Sequence, residues 1–341
     1  MEGKPRERRR AAVMADVAKL AGVSHQTVSR VMNGSTQVRD DTRERVQAAM
    51  RMLDYRPNSV ARALATGRSK TLGVVSFDTT LYGPASTLFG IERAAHQAGY
   101  FISIVSLLAL DRSSMLEAVE RLRLQGVDGI LVIAPQTDAA HTVSELPDVI
   151  PVVAVEAGPG EGVLVVTGDS FAGAAIATRH LLDLGHRTVW HIAGPTDWLE
   201  AQQRVAGWRS TLEAARAPVP PALVGDWSAK SGYELGRRLA ADPDVTAVFV
   251  GNDLMALGLL RALHEEGHEV PSALSVIGFD DMPEAAYFSP PLTTIRQDFN
   301  EVGSRGFQLL LDEIESGTRS SEQVTVPPEL VVRESTAPPR A

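Results

Sequence analysis

The chain has 341 residues, 44% hydrophobic and 22% charged, with no cysteine and a net charge of −9. This composition leads to two or three compact globular units and excludes fibres, collagen-like repeats and a mainly disordered chain. Without cysteine there are no disulfides, no thiolate catalysis and no cysteine-ligated zinc.

No stretch approaches the roughly 18 uninterrupted apolar residues of a membrane span. The opening MEGKPRERRR carries no apolar signal-peptide core, so a cytoplasmic, nucleoid-associated protein with no membrane partner is expected. Charge is distributed unevenly: residues 1–70 hold 15 Lys and Arg against 7 Asp and Glu, and the remainder holds 18 against 35. Cations gathered on one small unit can displace counterions from phosphates, whereas an acidic body repels them. On charge alone, a solvated basic tail fits as well.

Val13 to Leu53 reads as three short helices. In DVAKLAGV, starting at Asp16, Val17, Leu20 and Ala21 recur at helical spacing, and Gly22 supplies the left-handed stop. Ser24 is a natural N-cap for HQTVSRVMN, in which Val28, Val31 and Met32 share one face. The third helix is expected to begin at Thr42.

A short helix after a tight turn is the geometry of a helix-turn-helix, whose second helix enters the major groove. Gln26 can address adenine, Arg30 guanine or a phosphate, and His25 can hydrogen-bond or stack, so these three are the base-reading candidates. Ser24, Thr27, Ser29, Asn33 and Thr42 suit phosphate contacts, which fix register, and equally suit simple capping and solvation.

Pro57 and Asn58 then signal a helix start, and SVARALA places Val60, Ala61 and Leu64 on one face. Isolated helices below about 12 residues rarely form in water, so this one needs a partner. Thr66 to Ser69 fits an ordinary linker better.

DVAKLAGVSHQTVSRVMNG followed by TRERVQAAMRMLDYRPNSVARALATGRSKTLGVV resembles the LacI family of bacterial repressors without a gap. The resemblance implies base reading by His25, Gln26 and Arg30. It also implies hinge helices that pair between two protomers over the minor groove, where Leu64 wedges between base steps. Asn58, Ala61 and Leu64 are therefore the expected hinge residues.

From Leu72 onward, runs such as LGVVSF, FISIVS, GILVIA, PVVAV, VLVV, TVWHIA, TAVFVG and LSVIGF alternate with amphipathic helical stretches. That alternation predicts doubly wound parallel sheets in two lobes. Ligands in such sheets sit beyond the carboxyl ends of strands. Those positions hold Asp78, Gly168, Asp169, Asn252, Asp253, Asp280 and Asp281. Carboxylates and amides there can bind sugar hydroxyls, with Trp198, Trp227 or Phe299 stacking on the apolar face. Several of these acids also fit helix caps, Asp253 above all.

AGPTDWLEAQQRVAGW, GDWSAKSGY, GNDLMALG, GFDDMP and PPLTTIRQDF resemble the branch of the family typified by the lac repressor. By position, Arg204, Trp227, Asn252, Asp280 and Gln297 take effector-binding roles there, with Leu81 and Phe299 as apolar wall. Asp169 joins them as a strand-end acid. Glu200 departs from that branch, which has a serine, and a charged acceptor should change which hydroxyls are preferred. A galactoside is one ligand of this kind, and the identity of the sugar stays open.

HEEGH at His264 to His268 matches the zinc-protease pattern, but Gly267 reads as a helix stop that would separate the two histidines. No nucleophile elbow or phosphate-cradling loop occurs in the sequence. No metal, cofactor or catalytic residue is expected.

The expected fold is α/β: a small all-α helix-turn-helix headpiece plus a two-lobed, periplasmic-binding-protein-like body. The expected divisions are a basic tail over 1–11, a headpiece over 12–57, a hinge helix and linker over 58–70, a body over 71–336 and a tail over 337–341. One lobe takes about 71–167 and 297–325, the other about 168–296 and 326–336.

The expected function is that of a repressor of carbohydrate-utilisation genes. It acts as a homodimer on double-stranded palindromic operator DNA and is released by a small carbohydrate effector. A co-repressor response is the alternative. VVRESTAPPRA carries no leucine heptads, so a tetramerising tail is not expected. A sugar-transport module would not need residues 13–65, and a sugar-processing enzyme would need a paired acid and base, for which Asp280 and Glu200 are the nearest match.

Overall fold

A computed structural model describes residues 12–32, 37–55, 67–107, 112–137, 142–143, 146, 149–158, 164–318 and 323–340. The chain divides into two compact units, Met1–Ser69 and Lys70–Ala341. The hinge positions Asn58, Ala61 and Leu64, and Asn33, lie outside the described residues.

In the first unit, α1 (Met14–Ala21), α2 (His25–Met32) and α3 (Asp40–Met52) enclose a core of Val17, Val28, Val31, Val38, Val46 and Ala49. Gly22, at φ 66°, ends α1 and returns its N–H to Ala18 and Lys19. Ser24 Oγ accepts from the Thr27 amide at 3.1 Å, which caps α2 as its hydroxyl led one to expect. The third helix starts earlier than Thr42, at Asp40 with Arg39 as N-cap. Asp40 and Asp41 in its first turn complement the positive end of the helix.

The second unit contains two parallel-sheet lobes. In the N-terminal lobe, β1 (Thr71–Phe77), β2 (Phe101–Leu107), β3 (Ile130–Ile133), β4 (Val152–Val155), β5 (Leu164–Gly168) and β11 (Gln323–Val326) form a sheet of order β11-β5-β4-β3-β1-β2. Every pairing in it is parallel, with Val74 opposite Ile104 and Leu131, for example. Helices α4 (Tyr82–Gln97) and α10 (Phe299–Ser316) pack on each other, and one face of the sheet buries Leu72, Val74, Leu131 and Val153 with Ile91 of α4 and Phe307 and Leu310 of α10. The other face covers Val75, Ile130 and Val132 with Met115, Val119 and Leu122 of α5 (Arg112–Leu124).

The C-terminal lobe is built from β6 (Trp190–Ala193), β7 (Leu223–Val224), β8 (Ala247–Val250), β9 (Ser275–Asp280), β10 (Thr293–Arg296) and β12 (Glu329–Val331), ordered β12-β10-β9-β8-β6-β7. All pairings are parallel except β10 with β12. Helices α6 (Ser170–Asp183) and α7 (Leu199–Ala214) cover one side, and α8 (Ala229–Ala240) and α9 (Asp253–Glu265) the other. The chain passes between lobes after β5, after β10 and between β11 and β12.

Helix α9 ends at Glu265 and Gly267 takes φ 76°, so His264 and His268 stand on either side of a turn. Among the described residues, no helix is long and apolar enough to cross a membrane.

Candidate functional site

On α2, Val28 and Val31 face the core, which leaves His25, Gln26 and Arg30 exposed together. Ser24 is also exposed, while Thr27, Ser29 and Thr42 are half-buried. Ser24 Oγ and Thr27 Oγ1 bond to each other at 2.8 Å, and Thr42 Oγ1 donates to Asp41 at 3.2 Å. A groove of this unit brings Ser24, Thr27 and Thr42 beside Arg30, Arg39 and Arg45. Arg39 and Arg45 were not singled out from the sequence as part of this groove. The signal was present in the spacing of Arg39 and Arg45 around the start of the third helix.

In the body, a cleft of about 470 Å³, counting space open to solvent, lies at the carboxyl ends of the strands between the lobes. Leu81, Trp198, Glu200, Arg204, Trp227, Asn252, Asp280 and Phe299 all line it, as do Tyr82, Asp253 and Met282. Phe299 meets Tyr82 edge-on at 5.8 Å, and Trp227 meets Trp198 edge-on at 5.6 Å. Tyr82, which the sequence reading missed, has its phenol pKa raised by burial.

Arg204, 2% exposed, organises the floor. Its Nη1 donates to the Gly251 carbonyl, its Nη2 stands 3.2 Å from Glu200 and 3.6 Å from Asp280, and its plane lies 4.0 Å over the Phe279 ring. The Arg204 Nε, the Trp227 Nε1 and the Glu156 Oε1 are buried without a protein partner.

Burial pushes Asp280 up to about 7 against the pull of Arg204, with Glu200 adding to the rise. Asp253 is held well above the usual carboxylate range, first by burial and then by Asp280. Asn252 Oδ1 accepts from Met255 N at 2.8 Å, which makes Asn252 the cap of α9, and its Nδ2 donates to the Trp227 carbonyl at 3.1 Å.

Several expectations need correction. Asp253 does not cap α9. It is buried and accepts from Thr294 Oγ1 at 2.7 Å and Met282 N at 2.9 Å. Asp169 is not among the residues lining the cleft, and its Oδ1 caps α6 by accepting from Ala172 N at 2.8 Å. Gln297 is also absent from the lining, but it is buried behind Asp280 and donates to it at 3.5 Å. Asp281 turns away to pair with Arg296 and Arg333 at 2.7 and 2.6 Å, and Asp78 binds Thr80. A strand-end position fixes where a side chain starts and leaves open which neighbour it takes.

Glu156, directly after β4, is 4% exposed and lies against Glu200. Glu156 stands directly after the apolar run PVVAV, where the strand-end rule places ligand residues, but no local pattern in the sequence marks its pairing with Glu200.

Residues 13–58 match the model of bacterial regulatory proteins of the lacI family, and residues 178–336 match that of the periplasmic binding protein-like domain. The lactose operon repressor of Escherichia coli (strain K12) is 34% identical, over 95% of this chain and 90% of its own. The chain belongs to the LacI family. The HTH-type transcriptional repressor PurR of Haemophilus influenzae is also 34% identical, over 95% of this chain and 98% of its own. The crystal structure of the lac repressor dimer bound to operator and the anti-inducer ONPF superposes with a TM-score of 0.86 at 33% identity, covering 96% of this chain and 100% of that one. This LacI-family protein is a transcriptional repressor, as its relatives are, and the exposed α2 face lies within the stretch that matches the family's regulatory-protein model.

Proposed function

We propose that this repressor controls carbohydrate-utilisation genes from the cytoplasm, binding a palindromic operator as a homodimer and releasing it when a small uncharged sugar fills the cleft. Galactosides are among the sugars that fit.

The observation that carries the reading is the chemistry of the cleft. Glu200, Asp280 and Asn252 offer acceptors and a donor beside Trp198, Trp227 and Phe299. Hydroxyls meet the polar groups while a pyranose face stacks on indole. Arg204 is the one cation among the described lining residues, and Glu200, Asp280 and the Gly251 carbonyl already engage it. An anionic effector would therefore meet carboxyls with no free counter-charge.

The lactose operon repressor among the relatives supports a galactoside, but PurR is equally identical at 34%. Identity alone does not select the effector; the acid-rich, aromatic cleft favours a neutral polyol. His25, Gln26 and Arg30 read bases, and Ser24, Thr27, Ser29, Asn33 and Thr42 hold the backbone. By resemblance, Asn58, Ala61 and Leu64 form the hinge helix that pairs over the minor groove.

The experiment is to select an operator from random duplexes and measure its release by a panel of uncharged mono- and disaccharides, galactosides included, beside sugar phosphates and uronates. Release by a neutral sugar supports the reading, and tighter DNA binding would make the response co-repression. Response to anionic sugars alone would overturn the cleft assignment.

A further inference from the structure

The two lobes meet along a built seam next to the cleft. Leu199 N donates to the Pro135 carbonyl at 2.9 Å, Thr137 N donates to the Asp197 carbonyl at 3.0 Å, and Gln136 bridges Trp198. Gly158 of the N-terminal lobe packs closely on Leu199, since a Cβ there would sit 3.3 Å from Leu199 Cδ1 and the leucine would have to give by a few tenths of an ångström. The seam thus fixes the first turn of α7, and Glu200 is the next residue along it.

Facing Glu200 from the N-terminal lobe is Glu156. Its Oε2 lies 3.3 Å from Thr167 Oγ1 and 3.4 Å from the Gly168 amide, both of which donate to it. Its Oε1 is buried and finds no donor, yet the Glu200 carboxyl is within hydrogen-bonding reach. Glu156 is buried and the Glu200 side chain is 13% exposed, so two carboxyl groups in contact here satisfy each other only when one of them keeps a proton.

We propose that Glu156 is a positioning residue that holds Glu200 at the cleft wall by sharing one proton with it across the seam between the lobes. The pair then carries one negative charge rather than two. The proton forms an O–H on one carboxyl and is accepted by the other, and the second proton goes to solvent. Other groups around the pair are consistent with this. Arg204 on α7 balances the remaining charge on Glu200, Asp280 at the end of β9 adds negative potential, and β5 contributes the uncharged Thr167 hydroxyl and Gly168 amide. Glu156 is accordingly raised well above the ordinary carboxylate range, by burial first and Glu200 second.

The sign of the pH effect follows. A carboxyl whose proton is held more tightly in the folded chain contributes its full stability below the unfolded value of about 4.3, and that contribution is lost as pH rises through the folded value. Glu156→Gln tests this in the full chain, because its amide N–H donates to Glu200 without a titrating proton and its carbonyl still accepts from Thr167 and Gly168. Two readouts are compared with the wild type: the infrared carbonyl band of protonated carboxyls at about pH 8, and the unfolding midpoint between about pH 5 and about pH 9. The expected result is a band smaller by one carboxyl and a midpoint that falls less with pH. Asp253 and Asp280 contribute to both proteins and cancel in the difference. An unchanged band with parallel pH profiles overturns the proposal. Should Glu156→Gln not fold, Glu200→Gln is compared with its parent in an Asp280→Asn background, which removes the response of Asp280 to Glu200; the expected result is a midpoint that falls less with pH, and parallel profiles overturn the proposal.

Discussion

Trp227 lies directly against Gly194: a Cβ on that glycine would stand 2.0 Å from Trp227 Cη2. The ring is further fixed by Trp198 at 5.6 Å and its backbone by Asn252, which donates to the Trp227 carbonyl at 3.1 Å. A rigid, packed indole cannot yield as a flexible chain would. Gly194→Ala should therefore push the ring into the cleft, at a cost of about 1–3 kcal/mol in stability. Sugar affinity should fall at least roughly tenfold, or about 1.4 kcal/mol, with operator binding kept. Trp227→Ala should weaken sugar binding in the same selective way. Calorimetry with a sugar that releases the operator checks both, and unchanged affinity in either variant would remove Trp227 from the binding wall.

Arg204→Ala is expected to be the most damaging single change at the cleft. It leaves Glu200 and Asp280 facing each other near buried Asp253, without the guanidinium that stands 3.2 and 3.6 Å from them. Removing one partner of a buried ion pair typically costs about 3–5 kcal/mol, because the other charge stays desolvated. Chemical denaturation should show a loss of that size, and much of it should be recovered by combining Arg204→Ala with Asp280→Asn. A loss below about 1 kcal/mol would mean water already solvates the floor.

The sequence carried most of the fold and about half of the site's logic. Strands with continuous apolar runs, such as Val152–Val155 and Ala247–Val250, were legible because both faces are buried. Leu223–Val224, Gln323–Val326 and Glu329–Val331 were not. They are short edge strands with half-exposed patterns, specified by the neighbour they pair with. Lining residues with a long reach, Trp227 and Arg204 above all, were recognisable from the resemblance. The division of labour among Asn252, Asp253 and Asp169 was not, since helix capping, burial and ligand contact draw on the same residue types. Glu156 was hidden because its partner is 44 positions away, on the other lobe.

Arg30 stands exposed on α2 beside Gln26 and above the groove shared with Arg39 and Arg45. If it reads a base, Arg30→Ala should cost about 1–3 kcal/mol on the selected operator and relax the choice at one base pair. If it holds a phosphate, affinity should fall equally on all duplexes and the salt dependence should become shallower. Competition binding against single-base operator variants separates the two. Sugar binding should be untouched, and its loss would mean that the role of Arg30 has been misplaced.

Asp280 ties stability and ligand affinity to pH in opposite directions. Burial raises it to about 7, with Arg204 opposing and Glu200 assisting. The folded chain therefore holds this proton where the unfolded chain releases it. Its contribution to stability is complete below about pH 4 and is lost as pH rises through about 7. A sugar hydroxyl, by contrast, donates more strongly to the ionised carboxylate than to the protonated acid. Sugar affinity should accordingly rise between about pH 6 and about pH 8, with a proton released on binding near neutrality. Calorimetry in buffers of different ionisation enthalpy measures that proton directly. Asp280→Asn should flatten both the stability profile and the affinity profile, since the amide neither ionises nor releases a proton. Flat wild-type affinity across that range, with no proton released, would show that the effector does not touch Asp280.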